Sequence, residues 1–178
     1  MFDFLFNPQG RISRKGWWLG FTLPYLSISI AANVLAGLSP MLGILSLLAF
    51  LFYLWPSMVA VPVKRFHDLG MTGFWQLGFV VAEVLLTIAF FVGVGVHAAA
   101  LGMEDDFAAL GTMSPEEQSA VMVEVFGGAL GNPIALVSAI LLVVINLVWL
   151  YFQGIRRGQA GPNEHGEDPL ASGRGFAD

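Results

Sequence analysis

The fold is decided by the stretch from Trp17 to Val63, which reads WWLGFTLPYLSISIAANVLAGLSPMLGILSLLAFLFYLWPSMVAVPV. It contains no Asp, Glu, Lys or Arg. It is long enough for two helices of about 20 residues, the length that crosses a hydrocarbon core. Ser39 and Pro40 stand near its middle and separate two apolar halves. We therefore predict two membrane-spanning helices, at about 17–38 and 41–63, joined as a tight antiparallel hairpin.

Two further apolar stretches, at about 74–96 and 133–152, complete the prediction of an all-α polytopic membrane protein with four transmembrane helices in an antiparallel bundle. Of its 178 residues, 56% are hydrophobic and only 12% are charged. Soluble domains carry about a quarter charged residues, so this composition excludes a conventional water-soluble enzyme and a disordered protein. The absence of cysteine excludes disulfides, thiolate catalysis and Cys-ligated metals.

The positive charges predict the orientation of the chain. All of them fall on one side of the four predicted spans: Arg11, Arg14, Lys15, Lys64, Arg65, Arg156, Arg157 and Arg174. The loop on the opposite side, at about 97–132, is acidic and carries no Lys or Arg. Because positively charged segments stay in the cytoplasm, both termini are predicted to be cytoplasmic.

Two segments outside the spans have distinct patterns. In the acidic outer loop, Ser114, Pro115 and Glu117 form a helix-capping signal. The chain otherwise divides into a membrane domain, at 1–153, and a Gly-rich cytoplasmic tail, at 154–178. Its few large apolar residues predict a tail that is loosely ordered unless it docks on another part of the chain.

Glu83 is the carboxylate that lies well inside a predicted span, about 13 Å from its cytoplasmic end at 1.5 Å per residue. It is either a proton-carrying or cation-binding group of a small transporter or channel, or a neutral carboxyl that ties helices together. We favour the second interpretation, because a transport path normally shows more than one charged residue. At a similar depth lie Tyr25, Ser27, Tyr53 and Asn146, and we predict that Glu83 faces Tyr53 or Asn146 inside the bundle.

The cytoplasmic loop between the second and third spans is dense in polar residues. Lys64 and Arg65 could hold a phosphate, and Asp68 could pair with Arg65 or His67. The alternative is a basic loop that only fixes orientation. In the tail, Glu164, His165, Glu167 and Asp168 are of metal-binding types, but one histidine among Gly-rich neighbours does not define a metal site.

No other chemistry is indicated by the sequence. It shows no nucleophile triad and no phosphate-binding Gly loop, so we predict no catalytic residue, no cofactor and no enzymatic activity. The Lys and Arg residues form no dense basic run, so a nucleic-acid partner is not indicated either.

Three segments together resemble the domain of unknown function 805 (DUF805) family of bacterial inner-membrane proteins. They are the amino-terminal FNPQGRISRKGWW from Phe6 to Trp18, the loop RFHDLGMTGFW from Arg65 to Trp75, and the tail GPNEHGEDP from Gly161 to Pro169. The inserted Asn7-Pro8-Gln9 and the long acidic outer loop depart from the family pattern. The resemblance implies a multi-pass location in the bacterial cytoplasmic membrane and brings no reaction with it. It also favours a binding role for the polar loop. A binding role and a role that only fixes orientation are then about equally supported.

We carry three hypotheses for function. The first is a non-enzymatic membrane protein whose cytoplasmic face binds an anionic lipid headgroup or a protein partner. The partner would be a larger membrane complex, of which this chain is an accessory subunit, or a second copy of the chain in a homo-oligomer. The others are a transporter or channel using Glu83 and, least favoured, a membrane-embedded enzyme acting on lipid. For the first, we predict that the tail docks on the other cytoplasmic segments, and the predicted anion or partner site is Arg11, Arg14, Lys64, Arg65, His67, Asp68, Asn163 and Asp168.

Overall fold

A computed structural model describes residues 2–171 of the chain, so Arg174 and the end of the predicted tail lie outside the described residues. Residues 2–171 form helices and no strand. The α-helices are α1 (Phe2–Phe6), α2 (Leu23–Leu38), α3 (Pro40–Trp55), α4 (Val61–Asp68), α5 (Phe74–Ala100), α6 (Glu104–Ala109), α7 (Pro115–Ala129) and α8 (Pro133–Leu150).

In this part of the chain, four helical runs are long and apolar enough to cross a membrane: Gly16–Leu35, Met41–Asp68, Phe74–Ala100 and Pro133–Ile155. The prediction of an all-α chain with four such helices is therefore confirmed. The helix through Asp68 extends beyond the predicted limit at residue 63, because α4 continues the second span and carries the polar residues with it.

Three of these runs contain a π-helical segment, at Gly16–Thr22, Pro56–Ala60 and Tyr151–Ile155. In the last of them the Arg156 N–H reaches back to the Tyr151 carbonyl oxygen at 2.8 Å, one residue further than in an α-helix. Such a widened turn shifts the hydrogen-bond ladder by one residue and leaves carbonyl oxygens available to other donors. These segments border the polar cluster described below, where side chains use such oxygens.

The described chain divides into two compact units. The first contains the described residues of Met1–Val80 and Val148–Asp178, and the second is Val81–Leu147. In the first unit α2 and α3 form the predicted hairpin, with Ser39 extended at the turn and Ser46 Oγ donating to the Ala32 carbonyl at 2.9 Å. Its buried apolar core consists of Leu5, Ile12, Trp17, Phe21 and Val61.

In the second unit α7 packs against the later part of α5. Val94 and Ala98 of α5 and Val125 and Ala129 of α7 form its buried apolar cluster. Helix α7 begins with the predicted capping box: Ser114 Oγ accepts from the Glu117 N–H, and the Glu117 carboxylate accepts from the Ser114 N–H at 2.8 Å. The Ser114 and Glu117 pattern was therefore sufficient to locate the start of this helix.

No hydrogen bond joins Glu83 to Asn146 in the second unit, and the alternative partner Tyr53, which belongs to the first unit, stays a prediction. Asn146 Nδ2 donates to the Leu142 carbonyl of its own helix at 2.9 Å, and the carboxylate of half-buried Glu83 makes no hydrogen bond to another described residue of the second unit. Tyr53 packs its ring against Tyr25, with centroids 5.9 Å apart. Depth along a helix is readable from sequence, but it does not say around which side of the helix a side chain lies. The side chain of an Asn in a helix can also reach the backbone carbonyl of the residue four positions earlier.

Candidate functional site

Asp68 lies at the centre of a buried polar cluster in the first unit. It ends α4, and the chain turns away after it through Gly70, whose positive φ of 71° suits glycine. Its Oδ1 accepts from Arg11 Nε at 3.3 Å and Arg11 Nη2 at 3.1 Å, and its Oδ2 accepts from Arg65 Nη1. Arg65, Asp68 and Arg11 are 0%, 3% and 5% exposed. One carboxylate therefore neutralises part of the charge of two buried guanidinium groups.

Arg11 joins this carboxylate to the tail. Its Nη1 donates to the carbonyl oxygens of Gly161 at 2.7 Å and Gly166 at 3.3 Å, and its Nη2 also donates to the carbonyl of Gln159. With the two bonds to Asp68 this makes five hydrogen bonds, as many as a guanidinium has N–H groups. Arg11 is thus fully occupied by the protein itself.

Arg65 makes a second set of connections, to the end of the fourth span. Its Nε donates to the Gln153 carbonyl at 2.8 Å, and its Nη2 donates to the Arg156 carbonyl. Gln153 belongs to a π-helical segment and Arg156 directly follows it, so the widened turn presents these oxygens to the guanidinium. Together with the Asp68 carboxylate, the two carbonyls accept one hydrogen bond from each of the three guanidinium nitrogens of Arg65.

The tail docks on the Arg65–Asp68 segment, as predicted. The Gln159 N–H donates to the Asp68 carbonyl at 2.7 Å, and Asn163 Nδ2 donates to the His67 carbonyl at 2.9 Å. The rings of His67 and His165 stack with centroids 3.9 Å apart and planes 9° apart. His67 Nδ1 lies 3.1 Å from the Gly10 carbonyl oxygen, which can only accept a hydrogen bond. The docked tail is therefore ordered by contacts that composition could not reveal.

Asp168 differs from its predicted role of positioning an arginine. Its Oδ1 accepts from the Leu170 N–H and its Oδ2 from the Gly161 N–H, both at 2.9 Å, and it forms no ion pair within the described residues. These two N–H groups, the Leu170 one first, lower the pKa of Asp168 below its usual value. The ionised carboxylate therefore stabilises the turn at neutral pH, and this contribution is lost as the pH falls and the carboxylate is protonated. The backbone N–H groups of the turn lie closer to the Asp168 carboxylate than any arginine side chain of the described chain does, so they bind it in place of an arginine.

Lys64 also has a structural position rather than the predicted anion-binding one. Its Nζ donates to the carbonyls of Asp3 at 2.7 Å and Phe4 at 3.1 Å, and it lies 5.6 Å from the centre of the Phe4 ring. It therefore closes the C-terminal end of α1. Arg11 has all of its N–H groups bonded to oxygens of the chain, and Lys64 and Arg65 have most of theirs bonded. We therefore no longer place the predicted anion at these three residues.

The exposed cations lie around this cluster. Arg14, Lys15, Arg156 and Arg157 are exposed. Arg14 Nη1 donates to the Ile155 carbonyl at 2.9 Å, and Arg156 lies over the Phe152 ring at 5.4 Å. Of the predicted site residues, Arg14 is the one basic side chain in the described chain that stays exposed.

Arg14 and Lys15 line an open cleft of about 340 Å³ at the start of the first span. The cleft is completed by Ser13, Trp18, Gly154 and Leu170. Trp18 Nε1 donates to the Gly154 carbonyl at 3.0 Å, which fixes the indole at the cleft wall. The arrangement combines two cations with an aromatic wall at the end of a membrane-capable helix, and it can bind an anion that carries an apolar portion.

Sequence reasoning missed Lys15, Trp18 and Gln76 as members of this region. Gln76 is buried; its Nε2 donates to the Met58 carbonyl at 2.8 Å, and its Oε1 accepts from Trp149 Nε1 at 2.9 Å. A polar amide in the first turn of an apolar helix was the available signal. Within residues 2–171, no three His, Cys, Asp or Glu side chains come together as a set of metal ligands.

These observations define a class of protein: an all-α chain with four membrane-capable helices, in which an Arg–Asp–Arg cluster at the helix ends holds down a C-terminal tail. The chain belongs to the DUF805 family of proteins of unknown function, whose sequence profile matches residues 5–167. This confirms the resemblance that the three motifs indicate.

The chain is also similar to the uncharacterized protein YiiR of Escherichia coli (strain K12). The two are 32% identical over 100 residues, which cover 56% of this chain and 67% of YiiR. The YiiR protein of Escherichia coli O157:H7 matches to the same extent. No solved structure matches the chain. The names of these relatives indicate no activity.

Proposed function

We propose that this protein is a non-enzymatic protein of the bacterial inner membrane that binds the phosphate of an anionic phospholipid at its cytoplasmic face. The observation that carries the proposal is the separation of its cations into two groups. Arg11, Lys64 and Arg65 are buried and bonded to the chain, whereas Arg14 and Lys15 are exposed on an open cleft. The buried group holds the cleft in shape, and the exposed group supplies the charge.

The composition of the cleft suits a lipid headgroup. Each Lys or Arg near an anionic membrane surface contributes about 1 kcal/mol of attraction. The Trp18 ring on the cleft wall is of the type that prefers the headgroup level, and exposed Leu170 adds apolar surface beside the cations. Arg14 is already oriented by its bond to the Ile155 carbonyl, so less conformational freedom is lost when it binds a phosphate.

This proposal requires the cleft to face the cytoplasm, where we place both termini. The positive charges on one side of the spans support that orientation. Reporter fusions after Asp105 and at Asp178 are expected to report opposite compartments, with the second one cytoplasmic. The same compartment for both would contradict the four-span topology, and an extracytoplasmic reporter at Asp178 would place the cleft on the wrong face.

Removing the cleft cations is expected to weaken binding of an anionic lipid. For the double variant Arg14→Gln/Lys15→Gln we expect affinity for phosphatidylglycerol to fall about thirtyfold, because two charges that each contribute about 1 kcal/mol are lost. Binding is measured by native mass spectrometry on protein in neutral detergent, with phosphatidylcholine as the uncharged reference. Each single variant is expected to show a smaller part of the loss.

The matched control is Arg156→Gln, which removes the same charge from an exposed arginine that lies over Phe152 outside the cleft. Its phosphatidylglycerol affinity should stay close to wild type. An equal loss in Arg156→Gln and Arg14→Gln would indicate attraction by overall charge, and an unchanged double variant would refute the site. Transport through Glu83 stays a prediction, because no contact of the described residues favours it.

A further inference from the structure

A second cleft lies inside the membrane-capable hairpin, apart from the cytoplasmic site. It has a volume of about 400 Å³ and runs between α2 and α3. Its polar lining consists of Tyr25, Ser29, Asn33, Ser46 and Tyr53. The three residues from α2 are spaced four apart, so they form one stripe along that helix.

The depth of this cleft separates it from the lipid surface. Tyr25 lies about 15 Å along the helix from Lys15 and Asn33 about 27 Å, at 1.5 Å per residue. A hydrocarbon core is about 30 Å thick, so both residues fall inside it. A ligand that reaches this cleft must therefore be soluble in the bilayer.

Two of the polar residues are satisfied within the hairpin. Ser46 Oγ donates to the carbonyls of Ala32 at 2.9 Å and Leu42 at 2.8 Å, and Asn33 Nδ2 donates to the Ser29 carbonyl at 2.8 Å. The hydroxyls of Tyr25, Tyr53 and Ser29 make no hydrogen bond to any described residue. A hydroxyl left without a partner in hydrocarbon is costly, so these three groups favour an occupant with acceptor oxygens.

The lining also restricts the charge and shape of the occupant. None of the described residues that line the cleft is charged. The half-buried rings of Tyr25 and Tyr53 stand 5.9 Å apart at an angle of 53°, and the remaining wall is aliphatic or aromatic. A charged headgroup would find no counter-charge at this depth, whereas a neutral head with carbonyl oxygens would find hydroxyl donors beside apolar walls.

From these features we infer that the α2–α3 cleft binds a neutral, membrane-soluble lipid whose head carries carbonyl oxygens, which accept hydrogen bonds from the Tyr25 and Tyr53 hydroxyls. Two sources share this chemistry: the ester carbonyls of a diacylglycerol and the ring carbonyls of a lipid quinone. This inference is independent of the proposed anionic lipid site, because it concerns other residues, another depth and an uncharged ligand.

The test uses the full chain in phosphatidylcholine nanodiscs, titrated separately with a diacylglycerol and with a lipid quinone. We expect saturable binding of one of them by native mass spectrometry. In Tyr25→Phe/Tyr53→Phe the affinity should fall on the order of tenfold, because two hydrogen bonds are lost while both rings remain. The matched control is Tyr151→Phe, which removes the hydroxyl of the third tyrosine, outside the cleft.

A second variant tests the space rather than the hydroxyls. Ala49→Leu fills the cleft from the α3 wall and should abolish binding without removing a donor. Failure of both ligands to bind wild type would overturn the inference, as would unchanged affinity in the Tyr25→Phe/Tyr53→Phe variant. A concentration-dependent dimer that dissociates in the Tyr25→Phe/Tyr53→Phe variant would also overturn the inference. It would show that a second copy of the chain occupies the cleft. None of these outcomes affects phosphatidylglycerol binding at Arg14 and Lys15.

Discussion

Asp68→Asn is expected to lower the free energy of unfolding by about 3–5 kcal/mol and to release the tail. The substitution keeps the shape of the side chain but removes the negative charge shared by Arg11 and Arg65. Both guanidinium groups are buried, so neither can turn to water in compensation. Breaking a buried ion pair from one side costs more than the pair contributes, because the remaining charge stays desolvated.

The measurement is unfolding in mild detergent, followed by tryptophan fluorescence, together with limited proteolysis of the tail. Trp17, Trp18 and Trp149 lie in or beside the same core and should report its loss. Glu167→Gln is the matched control, since it removes one negative charge from an exposed position in the same tail. A midpoint for Asp68→Asn equal to that of Glu167→Gln would contradict a stabilising role for the cluster.

Gly158→Ala is expected to displace the tail by steric overlap. A Cβ at this position would coincide with the carboxylate of Asp68, which is held by two arginines and cannot move aside. The next residue, Gln159, would then lose its N–H bond to the Asp68 carbonyl. We expect a loss of about 1–3 kcal/mol, the usual cost of forcing extra atoms into a packed site, and rapid cleavage of the tail by protease.

The control for this variant is the same substitution where space is open. At Gly78, in α5, an added Cβ meets no atom within 4 Å, and alanine suits a helix better than glycine. Gly78→Ala should therefore leave stability unchanged or raise it slightly. If Gly158→Ala left the tail as protected as Gly78→Ala does, the close approach of tail and carboxylate would be refuted.

Local patterns were sufficient for several parts of the molecule. The hairpin at Ser39 and the capping box at Ser114 depend on neighbours a few residues away, and both are present as predicted. The docking of Asn163 on the His67 segment was also predicted, from positive charges that place three distant segments on one face. In the hairpin and the capping box the polar atoms have few alternative partners, so a short stretch of chain determines the outcome. The Asn163 contact joins residues 96 apart, and the charge pattern predicted only which segments would meet.

Other assignments failed where a side chain had several partners within reach. Arg11, Lys64 and Arg65 donate hydrogen bonds to carbonyl oxygens of the chain, not to an external anion. Asp168 accepts hydrogen bonds from backbone N–H groups of its own turn. The donors and acceptors of the backbone are present at every residue and carry no sequence signature. A cation counted from sequence is therefore not known to be free until its surroundings are seen.

The amino-acid order alone established the class of fold, because the length and apolarity of a membrane-capable helix are properties of one continuous segment. It also established family membership through three motifs spread along the chain. The roles within those motifs depended on tertiary structure. Whether an arginine is a buried structural link, as Arg11 is, or an exposed ligand, as Arg14 is, depends on burial and on which distant oxygens come within about 3 Å. Those distances are set by the packing of segments up to 155 residues apart, and no local pattern encodes them.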